Sequence, residues 1–142
     1  MMKKKIICIL VIIGILLSMS IPVSARASDY LDQYTVGLSA EGNGKMAICV
    51  TVDGVTKMDK IGLLEVAIDE KYTSTGSWHE YEVYYGMDDP DKYYDYDSYD
   101  YFHTLYFDGV PGRYYRVTLT VYAGDSTGHD TGWITSPTTR CK

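Results

Sequence analysis

The aspartates of one short segment are the residues whose type and spacing could hold a metal ion. Five of them fall close together, at Asp88, Asp89, Asp91, Asp95 and Asp97. Calcium takes about six to eight oxygen ligands, which carboxylates supply. The spacing does not match an EF-hand loop, which needs glycine at its sixth position and glutamate at its twelfth. The sequence therefore predicts either a calcium-binding loop of another kind or a solvated acidic loop that discourages pairing between strand edges.

Tyrosine is the compositional outlier, and it is densest in the same part of the chain. The tyrosine-rich segment, residues 81–106, holds nine of the 15 tyrosines. Tyrosine offers rigid amphipathic surface at small entropic cost, as in antibody loops, and its ring also stacks on sugars. The alternative is that these side chains cover a sheet face, because tyrosine favours strands. The candidate residues for binding a glycan, a peptide or a partner protein are Tyr93, Tyr94, Tyr96 and Tyr99.

The acid–base groupings of the chain give little support to catalysis. His79 lies beside Glu80 and Glu82, and His103 lies near Asp100. In a strand, Glu80 and Glu82 share one face while His79 points to the other, so the three do not converge. The chain has no nucleophile elbow, zinc-type histidine pair, CxxC or glycine-rich phosphate loop. We therefore predict no catalytic residue, and a protein that is not an enzyme.

The N-terminus has the layout of an export signal. Lys3, Lys4 and Lys5 precede an apolar run over residues 6–17, and small residues follow up to Ala27. This order is typical of a secretory signal peptide. A retained membrane anchor is the alternative, but the apolar run is shorter than the roughly 20 residues that span a bilayer. The sequence predicts a signal peptide over residues 1–27, cleaved after Ala25 or Ala27, and a secreted single domain over residues 28–142.

The charge of that domain limits its partners. All 19 acidic residues follow Ala27, but only nine of the 13 Lys and Arg do, so the formal charge changes from −6 for the chain to −10 for the domain. Such a domain repels nucleic acid and anionic membranes. We expect an extracellular protein or glycan partner, and no cofactor apart from the calcium considered above.

Two cysteines remain in the domain, Cys49 and Cys141, and they could form one disulfide. Such a bond persists outside the cell. Cys49, however, alternates out of phase with Ile48 and Val50, which indicates a side chain that points away from the core. A free or intermolecular Cys141 is the alternative to the bridge.

The elements that must position these residues are strands. Asn43-Gly44 predicts a hairpin and Asp53-Gly54 a second turn. Residues 61–68 also fit a helical period, but the β-rich setting favours a strand, with Leu64, Val66 and Ile68 on one face. Residues 86–98 are predicted as a polar connection, and Trp78 and Trp133 as core residues. The predicted strands lie at residues 34–38, 46–52, 61–68, 78–85, 99–107, 115–123 and 133–135. About seven short strands predict an all-β, antiparallel sandwich.

The sixth of these strands carries a resemblance. Val110-Pro111-Gly112 followed by alternating Tyr115, Val117, Leu119, Val121 and Ala123 is similar to the later half of fibronectin type III and other immunoglobulin-like domains. The resemblance implies that the hydroxyl of Tyr115 bonds back to the preceding turn. The chain also resembles a group of small exported proteins of Gram-positive bacteria, through stretches such as AEGNGKMAICVTV and YYRVTLTVYAGDSTG. That resemblance implies the same fold and no particular activity.

Overall fold

The computed structural model describes residues 28–142, so the predicted signal peptide lies outside the described residues. Seven strands form one antiparallel sheet, which confirms the predicted all-β, antiparallel class; the number seven agrees because two predicted strands are one strand here and the short last strand was not predicted. A 3₁₀ turn at Gly86–Asp88 and a short helix, α1, at Pro90–Tyr93 join the third strand to the fourth. The strands are β1 Leu31–Gly42, β2 Lys45–Lys71, β3 His79–Tyr85, β4 Tyr94–Asp108, β5 Tyr114–Asp125, β6 Gly128–Thr135 and β7 Thr139–Arg140.

Strand β2 organises the sheet because it pairs with four other strands. Residues 45–54 lie between β1 and β4, and residues 60–71 lie next to β5, with β3 and the start of β4 on the opposite edge. The sheet curls around one core as a half-barrel. We call β1, residues 45–53 of β2 and residues 100–108 of β4 the N-terminal half. Residues 58–71 of β2, residues 94–98 of β4, β3, β5 and β6 form the C-terminal half.

Two irregularities allow β2 to serve both halves. The predicted turn at Asp53-Gly54 does not reverse the chain; the pairing with β4 shifts register between Asp53 and Met58, and β2 continues. A second shift leaves Leu64 without a partner on β5, as in a β-bulge. The buried side chains just before this bulge are therefore at odd-numbered positions, Ile61 and Leu63, and those after it at even-numbered positions, Val66 and Ile68. The prediction that Leu64 shares the core face of Val66 was wrong, because the bulge turns Leu64 away.

Strand β5 shows the predicted alternation without interruption. The five residues predicted to face inward are all fully buried, and those between them are half-buried. Burial of such apolar side chains contributes about 1.5–3 kcal/mol each relative to exposure. The inward residues are Tyr115, Val117, Leu119, Val121 and Ala123.

The hydroxyl of Tyr115 bonds back to the turn before its strand, as the resemblance implied. It accepts a hydrogen bond from the backbone N–H of Val110 at 2.7 Å and donates one to buried Glu70 at 3.0 Å. Arg113 lies 3.3 Å from the same carboxylate. Burial and these bonds to Glu70 raise the pKa of Tyr115, although the Val110 N–H lowers it. A single hydroxyl thus ties together β5, the turn before it and the end of β2.

The tryptophans do not have the predicted core positions. Trp133 is 74% exposed, because its neighbour Ile134 takes the inward position opposite Leu119. Trp78 is half-buried just before β3, where Lys71 and Arg116 lie over its ring. Strand β6 begins at Gly128, earlier than predicted, and this longer strand fixes the outward phase of Trp133. Within residues 28–142, no helix has the length and apolarity needed to cross a membrane.

Candidate binding cleft

A cleft of about 450 Å³ lies on the outer face of the C-terminal half. Its floor comes from β2 and β5, whose outward residues alternate with the buried Ile61, Val66 and Leu119. Strand β3, the 3₁₀ turn and the start of β4 supply the walls. The residues that line the cleft are Lys60, Leu64, Glu65, Tyr85, Met87, Tyr94 and Thr120.

Two glycines allow the wall to lie against the floor. A Cβ atom at Gly62 would lie 2.9 Å from the Cα atom of Tyr94 and would overlap the carbonyl oxygen of Tyr93. A Cβ atom at Gly86 would overlap the carbonyl oxygen of Leu63 and the hydroxyl of Tyr94. Only glycine permits such close backbone approach. The turn and helix between β3 and β4 are therefore held directly on strand β2.

Aromatic rings and one cation form an array along the cleft. The Nζ atom of Lys60 lies 3.9 Å from the ring centre of Tyr94 and 5.4 Å from that of Tyr122. Tyr96 packs against Tyr94 at 6.5 Å between ring centres, and His129 stacks on Tyr122 at 5.3 Å. Burial raises the pKa of Tyr94, and the neighbouring Tyr96 and Tyr122 raise it further. The array holds Lys60 by cation–π attraction, which leaves its N–H donors available.

Lys60 and Glu65 give the cleft two opposite charges. Three ion pairs form among residues 28–142, and neither Lys60 nor Glu65 belongs to one. Both side chains are half-buried, as is Thr120. Tyr85 is 47% exposed and Met87 78% exposed, so the cleft also offers apolar surface. It thus combines a donor, an acceptor, a hydroxyl and an exposed ring.

The four tyrosines predicted to bind a ligand do not form one surface. Tyr93 and Tyr94 are only 5% and 4% exposed, because the predicted polar connection is in fact a turn, a helix and the start of β4 that pack on β2. Tyr94 lines the cleft and Tyr96 packs beside it, whereas Tyr99 lies at the Gly54 bend. Tyr93 lines a second, smaller cavity of about 60 Å³ among β2, β3, α1 and β4, with room for only a few waters.

Most of the cleft was not predicted. Lys60, Glu65, Met87 and Thr120 come from three separate elements, and nothing in the linear sequence places them together. The outward alternation of β5 identifies Thr120 as a surface residue but not as a site residue. Tyr85 belongs to the tyrosine-rich segment, which is the one signal that pointed to this region.

The aspartates predicted to bind calcium spread over three elements. Asp88 ends the 3₁₀ turn, Asp89 and Asp91 flank the start of α1, and Asp95 and Asp97 lie on β4. In the part of the chain that the structure describes, no three acidic, histidine or cysteine side chains are grouped to hold a metal ion. Asp95 instead bonds to His103, with 2.8 Å between the carboxylate and Nε2.

The two cysteines for which the sequence left a disulfide and a free Cys141 as alternatives are both free thiols in this structure. Cys49 is exposed on the outer face of β2, where Gly37 and Thr104 are its cross-strand neighbours. Cys141 is 1% exposed and belongs to the core. The outward phase of Cys49 was predicted correctly, and it explains why the two sulfur atoms do not meet. Burial raises the pKa of the Cys141 thiol, which keeps it protonated and unreactive.

The chain was compared with models of protein families, with curated proteins and with solved structures. No family model, curated protein or solved structure matches it.

Proposed function

We propose that the protein is a non-enzymatic interaction module that acts outside the cell and binds its ligand in the cleft on the C-terminal half. The observation that carries the proposal is the cleft itself: about 450 Å³, with exposed apolar surface and two charged groups that form no ion pair within residues 28–142. Ligand sites are typically concave, largely apolar and preformed, with volumes of about 300–1,000 Å³. The floor is rigid, because β2 and β5 are paired to each other and to outer strands.

Secretion is part of the proposal and is supported by the sequence of residues 1–27. Expression of the full chain in a host with a secretory pathway tests it. We expect product in the medium whose mass corresponds to a start at Arg26 or Ser28. Retention of the intact chain in the membrane would contradict this part of the proposal.

The finer fold assignment, an immunoglobulin-like or fibronectin type III-like sandwich over a single domain of residues 28–142, is also a proposal. Its support is the bond between Tyr115 and the Val110 N–H and the packing of both halves on one core. In this view the continuous strand β2 takes part in both sheets of the sandwich. A simpler sandwich would use a separate strand in each sheet.

Two variants with equally simple changes test where the ligand binds. Tyr85→Ala removes an exposed ring from the cleft, and Phe102→Ala removes a ring that is 73% exposed on the N-terminal half. Isotope-labelled exported protein is titrated with a panel of soluble oligosaccharides and peptides, and amide shifts are recorded by NMR. We expect shifts around the cleft that Tyr85→Ala abolishes and Phe102→Ala does not. The reverse pattern, or turnover of any probe, would overturn the proposal.

A further inference from the structure

The backbone of the cleft floor is not available to a ligand. Glu65 of β2 lies between Thr120 of β5 and Tyr85 of β3, and Thr120 lies between Glu65 and Trp133 of β6. An extended peptide binds a sheet by adding a strand at a free edge, where backbone groups are unpaired. The floor has no such edge, so recognition at the floor depends on side chains.

Those side chains present aromatic faces beside hydrogen-bonding groups. Tyr85 is 47% exposed, and Trp133, which is paired to Thr120 on the floor, is 74% exposed. The face of an aromatic ring carries negative charge density and attracts weakly positive C–H groups. A sugar ring presents such C–H groups on its faces and hydroxyls around its rim. A row from Tyr85 across Glu65 and Thr120 to Trp133 therefore matches the two kinds of surface that a glycan has.

The polar groups favour a ligand that both donates and accepts hydrogen bonds. Lys60 offers donors only, Glu65 acceptors only, and Thr120 both. A purely apolar ligand would leave the Lys60 and Glu65 charges desolvated without partners, which is costly. Hydroxyl groups satisfy both charges at once.

The charges also argue against an ionic ligand. Lys60 and Glu65 together are neutral, while residues 28–142 carry a formal charge of −10. That field repels anionic polymers. A cationic ligand would meet Lys60, which Tyr94 and Tyr122 hold in place. An uncharged ligand is repelled neither by the net negative charge nor by Lys60.

From these four observations we infer that the cleft binds an uncharged glycan. Tyr85 and Trp133 stack on sugar rings, and Lys60, Glu65 and Thr120 bond to their hydroxyls. This inference rests on the proposed function, and it names the ligand class that the cleft accepts. The volume of about 450 Å³ fits a short stretch of the glycan chain.

The test is calorimetric titration of the exported protein with neutral oligosaccharides of glucose, mannose, xylose and N-acetylglucosamine. Oligogalacturonate and de-acetylated chitosan oligomers serve as the anionic and cationic counterparts. We expect a neutral oligosaccharide to bind with an affinity that high salt does not change. Tyr85→Ala should weaken it roughly tenfold, as for a buried aromatic contact. Tyr85→Phe keeps the ring and should bind like the parent protein.

Two controls separate this inference from the proposed function. Phe102→Ala leaves the cleft intact and should not change the affinity. If only charged oligomers or peptides bind, and Tyr85→Ala abolishes their binding, the glycan inference is overturned while the cleft remains a binding site. If no neutral oligosaccharide binds, the inference is likewise overturned. If ligands bind but only Phe102→Ala weakens them, both the inference and the proposed function fail.

Discussion

The two halves of the sheet share strand β2 and one core, but their outer faces differ. On the N-terminal half the outward residues of β2 between the charged Lys45 and Asp53 are Ala47, Cys49 and Thr51, small side chains in an uninterrupted ladder. On the C-terminal half the outward face has a bulge at Leu64 and a covering turn and helix. The cleft occurs on the second face. Irregular backbone, more than composition, therefore creates the candidate site.

Exposure of an aromatic ring is not enough to make a site. Phe102 and Tyr106 are 73% and 54% exposed on the N-terminal half, at least as much as Tyr85 on the C-terminal half. Phe102, however, lies in a cross-strand row with Thr51 and Thr35, which form no wall beside it. The comparison makes the glycines and the bulge, not the rings, the features to test first.

The largest effect is expected at Gly62. Gly62→Ala places a Cβ atom against Tyr93 and Tyr94, so the covering segment must move and stability should fall by about 3 kcal/mol. Gly37→Ala is the matched control on the N-terminal half, where the new Cβ atom would lie 3.8 Å from that of Cys49 in ordinary contact. Urea unfolding measures both. Equal losses of stability in the two variants would show that close backbone packing does not distinguish the two faces.

The next effect concerns two buried tyrosines, one in each half. Tyr115→Phe leaves the Val110 N–H without its partner and removes one of the two side-chain bonds of buried Glu70, which keeps Arg113, and we expect a loss of about 2 kcal/mol. Tyr101→Phe removes a single bond, to the carbonyl oxygen of Lys92 at 2.9 Å, and should cost about 1 kcal/mol. Thermal or urea unfolding measures the stability loss of each variant. A larger loss for Tyr101→Phe than for Tyr115→Phe would contradict the expected order.

Alkaline pH acts on the same pair of tyrosines. Burial raises the pKa of Tyr101 and of Tyr115 above the ordinary 10.0, so the folded protein holds both protons longer than the unfolded chain. Their contribution is therefore intact below pH 10.0 and is lost as pH rises further, at most about 1.4 kcal/mol per group for each pH unit. As the pH rises, circular dichroism should be lost in one step, and the last rise in tyrosinate absorbance, that of this buried pair, should accompany it. Two separate steps would mean that the halves unfold independently.

The smallest effect is expected at the two cysteines. In the native protein we expect one thiol, Cys49, to react with a disulfide reagent, and Cys141 to react only after unfolding. Cys49→Ser should change stability by less than about 0.5 kcal/mol, since it lies on an exposed face. If the native and unfolded proteins both show no reactive thiol, the two cysteines are bonded and their placement here is wrong.

The sequence predicted those parts of the fold where alternation runs without a break. The Asn43-Gly44 hairpin was predicted because both residues adopt the positive φ that its turn requires, and β5 was predicted because no bulge interrupts it. Strand β2 was predicted as two strands because Asp53-Gly54 is also a common turn sequence. An unbroken alternation also assigns each residue of β2 to a face of the sheet, and the bulge at Leu64 changes that assignment.

The candidate site was predictable only in its region. The tyrosine-rich segment contains Tyr85 and Tyr94, but which tyrosines are buried depends on the contact of residues 86–94 with β2. That contact joins residues distant in the chain, which local patterns do not report. Trp133 was predicted as a core residue from its type, and its exposure follows from the register of β6 on β5.

The continuity of β2 also has a consequence for how fast the protein folds. Its pairing with β1 needs only the local Asn43-Gly44 turn, but Lys60 must find Gly124, and Lys71 must find Tyr114. Pairings between such distant segments make folding slow, because the loop closes before its contacts form. We expect the hairpin of β1 and β2 to form early and the C-terminal half to close in the rate-limiting step. Until then the whole cleft is absent, so ligand binding and complete folding appear in the same kinetic phase.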